Sequence, residues 1–170
     1  MKRVLIMIGV IAAVGSAGSA QSPSSSVRHV VGHQISGHSN FDAGTQTTTV
    51  TATLAFAGSD GGAGLTIDFT TRYAGMGRPS SPPRVVDVVV TEHPADEESP
   101  AMTMSVNGQP LPLAARLHGR RSIAATISFD EFVRLANADA IVEHALGTEL
   151  EFGAGQLQML RAEAQRWSGR

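Results

Sequence analysis

The chain has 170 residues, of which 42% are hydrophobic and 5% aromatic, with no cysteine and a formal net charge of −2. This composition fits one folded domain with a mainly aliphatic core, and it excludes disulfide bonds and thiol chemistry. The net charge is negative, and Lys2 is the only lysine. A mildly acidic surface binds phosphate groups poorly, which argues against nucleic acids and anionic membrane surfaces as partners.

The first twenty residues have the three-part pattern of a secretory signal peptide. A positive start at Lys2 and Arg3 precedes an uncharged apolar run, residues 4–14, and small residues that end at Ala20. The pattern predicts cleavage before Gln21. The run spans about 16 Å as a helix, too short for a membrane core of roughly 30 Å. We therefore expect a periplasmic or secreted protein that does not span the membrane. Twelve arginines beside one lysine suggest a GC-rich bacterial genome.

Residues 21–26 form a Ser/Pro segment that predicts a flexible mature terminus, and residues 27–170 are predicted to form one β-rich domain. From residue 46 onward, apolar and polar residues alternate, which predicts strands with one buried and one solvated face. The predicted strands are 50–56, 65–70, 85–90, 102–106, 111–117 and 123–127.

The connections between these strands are rich in turn residues. The Gly-rich segment 58–64 predicts a hairpin tip, because it lacks the Gly-Lys-Ser/Thr ending of a phosphate loop and a strand follows it. Val85–Val90 is apolar on both faces for much of its length, which predicts a central strand. Pro110 and Pro112 predict that strand 111–117 begins at a sheet edge.

The C-terminal part changes to helical spacing. Ser128 and Glu131 form a capping box that predicts a short helix over 130–137, and a hairpin is predicted from 141–146 and 148–152. Helix 155–167 follows, with an apolar stripe formed by Leu157, Leu160, Ala164 and Trp167. The predicted fold is mainly β, of the α+β type: an antiparallel sandwich or open-barrel-like sheet with two short C-terminal helices packed on it.

Three closely spaced histidines, His29, His33 and His38, suggest a metal site, since imidazole is a common ligand of zinc and copper. On a straight strand over 27–33, the backbones of His29 and His33 are about 13 Å apart. Zinc–nitrogen bonds are about 2.1 Å long, so a shared ion requires a bend at Gly32 or Gly37. The alternative is that these are polar surface histidines.

Other catalytic patterns are missing from the sequence. No mature serine lies in a Gly-x-Ser-x-Gly elbow, and the mature chain has no lysine for Schiff-base chemistry. Glu149 and Glu151 are predicted to lie on the solvated face of their strand. Asp68 is predicted to pair with Arg72 or Arg84 at the surface, and the alternative is that Asp68 and Asp87 meet across the sheet. These carboxylates therefore do not suggest an acid paired with a base.

The leading functional hypothesis is an exported, non-enzymatic protein that binds a protein or an envelope component and needs no cofactor. Loops 58–64, 75–83 and 92–100 are candidate contact regions, because loops on rigid β folds often carry binding function. One alternative is a periplasmic metal-binding protein that uses His29, His33 and His38. Another is an extracytoplasmic hydrolase with a spatially assembled site. The sequence leaves the oligomeric state open.

Overall fold

The computed structural model describes residues 32–57, 64–93, 102–119, 122–145 and 148–169. The predicted signal peptide, the predicted flexible terminus, His29 and most of loops 58–64 and 92–100 lie outside these residues. In chain order the elements are β1 (Gly32–Asp42), β2 (Thr47–Phe56), β3 (Gly64–Ala74), β4 (Val85–His93), β5 (Met102–Val106), β6 (Gln109–Leu111), β7 (Arg116–Leu117), β8 (Ser122–Ser128), α1 (Phe129–Ala136), β9 (Ile141–Ala145), β10 (Thr148–Glu151) and α2 (Ala154–Trp167).

The strands form two open antiparallel sheets, and the two helices pack on them, as the sequence predicts. The six-stranded sheet has the order β1-β2-β3-β4-β8-β7, and the four-stranded sheet has the order β10-β9-β5-β6. Strand β4 lies between β3 and β8, which confirms its predicted central position.

Period-two alternation produces the buried face of the large sheet. Along β2, the residues from Val50 to Phe56 alternate between buried aliphatic or aromatic side chains and half-buried threonines or alanines. Successive strand side chains point to opposite faces, so each strand contributes one row to the core. The buried rows of β3, β4 and β8 continue this apolar face.

Both helices bury their apolar sides in the same core. The ring centroid of Phe132 on α1 lies 5.6 Å from that of Phe69 on β3 and 4.8 Å from that of Trp167 on α2. The small sheet joins this core as well: the centroid of Phe152, just after β10, lies 5.7 Å from that of Phe56. The predicted stripe on α2 is buried along its whole length.

One predicted strand was wrong, and one strand was not predicted. Residues 111–117 do not form one strand, because β6 pairs with β5 in the small sheet and β7 pairs with β8 in the large sheet. Residues 112–115 form the connection between the sheets, and Pro112 has no amide hydrogen to continue a ladder. Strand β1 was missed over most of its length, because its residues show no apolar alternation.

Candidate functional site

A groove between α1 and α2 is the candidate concave site in the described part of the chain. It encloses about 390 Å³. Its lining combines apolar side chains with side chains that carry charge or amide groups: Pro82, Phe129, Asp130, Val133, Asn137, Arg161, Ala164, Gln165 and Ser168. A cavity of this size is in the range of small ligand sites, which is roughly 300–1,000 Å³.

The first wall of the groove is α1, whose start is set by local sequence. The hydroxyl of Ser128 accepts a hydrogen bond from the Glu131 amide at 3.2 Å, and the Glu131 carboxylate accepts from the Ser128 amide at 2.8 Å. This predicted capping box orients the first turn, which carries Phe129 and Asp130. The hydrogen bonds from Ser128 hold the pKa of Glu131 below its ordinary value.

The second wall is α2, and specific contacts define both of its ends. At its start, Gly153 donates its amide hydrogen to the Gln156 side chain at 2.8 Å. After its end, Gly169 adopts a left-handed φ of 75°, and a Cβ built there would lie 2.7 Å from the carbonyl oxygen of Pro79. A glycine is therefore required for the loop before β4, which supplies Pro82, to approach the helix this closely.

The groove carries one charge of each sign, from different helices. Asp130 lies on α1, and Arg161 lies on α2, where its guanidinium donates to the Ala138 carbonyl at 2.8 Å. That bond uses one of the five N–H donors of arginine and fixes the direction of the side chain. Asn137 and Gln165 add exposed amide groups to the same lining.

The described structure does not bring the predicted metal ligands together. His33 lies where the β1–β2 register shifts, and His38 lies five residues further along the same strand, so their backbones are about 16 Å apart. The pairing runs without interruption through Gly37, so the chain does not bend there. Within the residues described, no group of three His, Cys, Asp or Glu side chains is placed to hold a metal ion. The metal site stays a prediction, since His29 lies outside this part.

A threonine, a histidine and a glutamate form a row across the outer face of the small sheet. Thr103 is opposite His144, and His144 is opposite Glu149, with 3.2 Å between its Nε2 and a carboxylate oxygen of Glu149. Thr103 is exposed and more than half of the His144 side chain is accessible, so the row is open to solvent. It lacks the enclosed pocket that nucleophilic catalysis needs, and the hydrolase hypothesis gains no support from it. Glu149 and Glu151 lie on the solvated face, as predicted.

The outer face of the large sheet is polar and rich in threonine. Asp68 accepts a hydrogen bond from Thr53 at 2.5 Å. Arg72 lies 3.6 Å from Asp87, which also accepts from Thr126 at 2.9 Å. The predicted ion pair therefore forms on a different aspartate, because Arg72 points across to the neighbouring strand β4.

A buried carboxyl group that the sequence analysis missed lies in the small sheet. Glu143 on β9 is fully buried, and neither carboxyl oxygen has a hydrogen-bond partner in the described structure. It lies between Met104 and Leu150 on the buried face. Desolvation raises its pKa to about 8, so the group is neutral at pH 7. The sequence did contain a signal for this burial. Ile141, Glu143 and Ala145 are every second residue of β9, so their side chains point to the same face of the sheet.

None of the described helices is both long and apolar enough to cross a bilayer. Comparison of the chain with protein-family models, with characterised proteins and with solved structures found no match.

Proposed function

We propose that this chain is an exported, non-enzymatic binding protein that holds an extended segment of a partner protein in the groove between α1 and α2. The observation that supports this most directly is the groove itself: a concavity of about 390 Å³ that is lined by apolar, amide and charged side chains. Export is inferred from the signal-peptide pattern of residues 1–20.

The composition of the lining favours a peptide over other ligands. Phe129, Val133 and Ala164 offer apolar contacts, and the Gln165 amide matches the donors and acceptors of a peptide backbone. The Asn137 amide nitrogen donates to the Val133 carbonyl at 2.8 Å, which leaves its second hydrogen and its oxygen for a ligand. One carboxylate and one guanidinium suit a segment with both charges. A phosphate-bearing ligand would need a larger excess of positive charge.

The same residues favour binding over catalysis. The lining contains no histidine, lysine or cysteine. Its one hydroxyl, on Ser168, donates to the Gln165 carbonyl at 2.7 Å, so it is not directed at a base. A nucleophile that is not activated by a neighbouring base or a lowered pKa is weak.

The experiment is a peptide-display selection against the protein expressed from its complete coding sequence, followed by affinity measurement of the enriched peptides. The variant Gln165→Trp places an indole in the groove from an exposed position, and Gln158→Trp makes the same change on an exposed part of α2 outside the groove. We expect Gln165→Trp to weaken binding at least tenfold and Gln158→Trp to leave it within twofold.

Two results contradict the proposal. Either no peptide is enriched above background, or enriched peptides bind equally well to both tryptophan variants. Circular dichroism of the two variants, expected to match that of the parent protein, checks that loss of binding does not reflect unfolding.

A further inference from the structure

Strand β1 is a long exposed edge of the large sheet. It has 11 residues, it lies at one end of the strand order, and the side chains of residues 35–40 are all exposed. An edge strand presents unpaired N–H and C=O groups along one side, which can accept another strand. About 36 Å of backbone is therefore available for pairing.

The other edges of the two sheets are short or interrupted. Strand β7 has two residues and β10 has four. Strand β6 has three residues and contains Pro110, which cannot donate a hydrogen bond. Short strands and prolines are common protections against edge-to-edge pairing. β1 has neither, it carries no lysine or arginine, and its one register shift lies at its start, between Gly32 and Gln34.

We propose that β1 pairs with β1 of a second copy of this chain, antiparallel and about a two-fold axis at Gly37, so that two six-stranded sheets become one continuous sheet. Gly37 is the midpoint of Gly32–Asp42, and residues 34–40, which pair with β2 in a constant register, lie symmetrically about it. Asp42, the one acidic residue of the strand, then lies at the Gly32–Gln34 end of the second copy, where the register shifts, rather than opposite another aspartate. An antiparallel ladder is self-complementary under two-fold symmetry, as a homodimer interface must be.

The exposure of the Ile35 side chain supports pairing of β1 with β1 of a second copy. It lies on the core-facing side, opposite the fully buried Leu54, yet 44% of it is exposed, because none of the described strands continues the sheet beyond β1. Pairing at the Gly37 register places it against Ser39 of the second copy and covers it. Burial of this apolar side chain is favourable.

Charge at the proposed axis is also self-complementary. Helix α2 packs over β1 and β2, and a Cβ built on Gly37 would lie 3.3 Å from Glu163 and 3.4 Å from Arg166. These two side chains form a bidentate ion pair with each other, and 49% of the Arg166 side chain is accessible. Two copies of the pair meet at the axis with no net charge. The proposed peptide groove is lined by other residues, so a test of the dimer does not depend on the proposed binding function.

A charge-exchange pair of variants tests the register. Ser36 and His38 are exposed on the solvated face and lie opposite each other across the proposed axis. S36K/H38K opposes lysine to lysine twice in each dimer, whereas S36K/H38E opposes lysine to glutamate. We expect analytical ultracentrifugation to show a dimer for the parent protein, a dissociation constant at least tenfold weaker for S36K/H38K, and dimers for S36K/H38E. A monomer at all micromolar concentrations, or equal weakening in both variants, overturns the proposal.

The absence of native cysteine allows a second, direct test. S36C/H38C should form a disulfide-linked dimer under mild oxidation, since opposite residues of an antiparallel pair are within disulfide range. Each single variant should not, because its two copies lie on a diagonal more than about 7 Å long. T103C/S105C, with the same spacing on interior strand β5, serves as the control. Equal cross-linking by the control contradicts the pairing. No cross-linking by S36C/H38C also contradicts it, and this is the result expected if another segment covers β1.

Discussion

At the scale of single residues, Glu143 is the most unusual group in the described structure. A carboxyl group that is fully buried without a partner is costly, and here the cost depends on pH. Gln156 and Trp167 each add one buried nitrogen without a hydrogen-bond partner. These three positions are where the core departs from satisfied polar pairing.

Glu143 should make the protein less stable as pH rises from about 4.5 to about 8. Below pH 4.5 the carboxyl is protonated in the folded and unfolded states alike. Between the ordinary value of 4.5 and the folded pKa of about 8, only the unfolded chain releases the proton, so the free energy of unfolding falls. The loss is on the order of 3 kcal/mol at pH 7, at 1.36 kcal/mol for each pKa unit.

The variant Glu143→Gln removes this dependence. Urea unfolding between pH 4.5 and 8 should give a nearly constant free energy for the variant, which at pH 7 should be the more stable protein. Glu149→Gln, on the solvated face of the adjacent strand, is the matched control and should keep the slope of the parent protein. If the parent and Glu143→Gln show the same slope, the carboxyl is not neutral in the folded state.

At the scale of elements, helix α1 depends on its first turn. The helix has only eight residues, so its hydrogen bonds alone stabilise it weakly. The capping box and the burial of Phe129, Phe132 and Leu135 supply the rest. The position of one wall of the groove is therefore coupled to a single serine hydroxyl.

We expect Ser128→Ala to lower the free energy of unfolding by about 1 kcal/mol, because the Glu131 amide loses its acceptor and the Glu131 carboxylate loses the hydroxyl that donates to it. Ser128→Asp, which retains a capping oxygen, should recover most of the loss. Thermal unfolding monitored by circular dichroism measures both. Because hydrogen bonds lower the pKa of Glu131, the contribution of that carboxylate is present above pH 4.5 and is lost as pH falls through its folded pKa. Equal stability of Ser128→Ala and the parent protein would show that packing alone positions α1.

At the scale of the whole molecule, one apolar core joins the two sheets and both helices. Among the described elements, only β1 and β7 contribute no residue to this core, and the aromatic contacts link β2 to the end of β10 and β3 to α1 and α2. Elements that share one close-packed core are expected to unfold together.

Trp167 makes this cooperativity measurable, since it is the only tryptophan and is fully buried against Phe132. Its fluorescence reports the helical region, whereas far-ultraviolet circular dichroism reports mostly the sheets. We expect the two urea transitions to have the same midpoint and slope. Separate midpoints would mean that α2 detaches from the sheets before they unfold.

Much of the fold follows from the sequence alone. The alternation from residue 46 onward identifies the buried faces of β2 to β5 and β8, because a strand that packs on one side must place apolar residues at every second position. The capping box locates α1 to within one residue, and the stripe on α2 is buried as predicted. These features depend on neighbours along the chain, so the sequence contains the information needed to predict them.

Features that depend on contacts between distant segments were decided by the tertiary structure. The switch of the chain between sheets at residues 112–115, the exposed edge at β1 and the groove between the helices have no local signature. Each of these features results from contacts between elements that are distant in the sequence. In another packing, the same residues would be ordinary loop, strand or surface positions. Alternation indicates that Glu143 faces the same way as its apolar neighbours, but only the complete core shows that no partner reaches it.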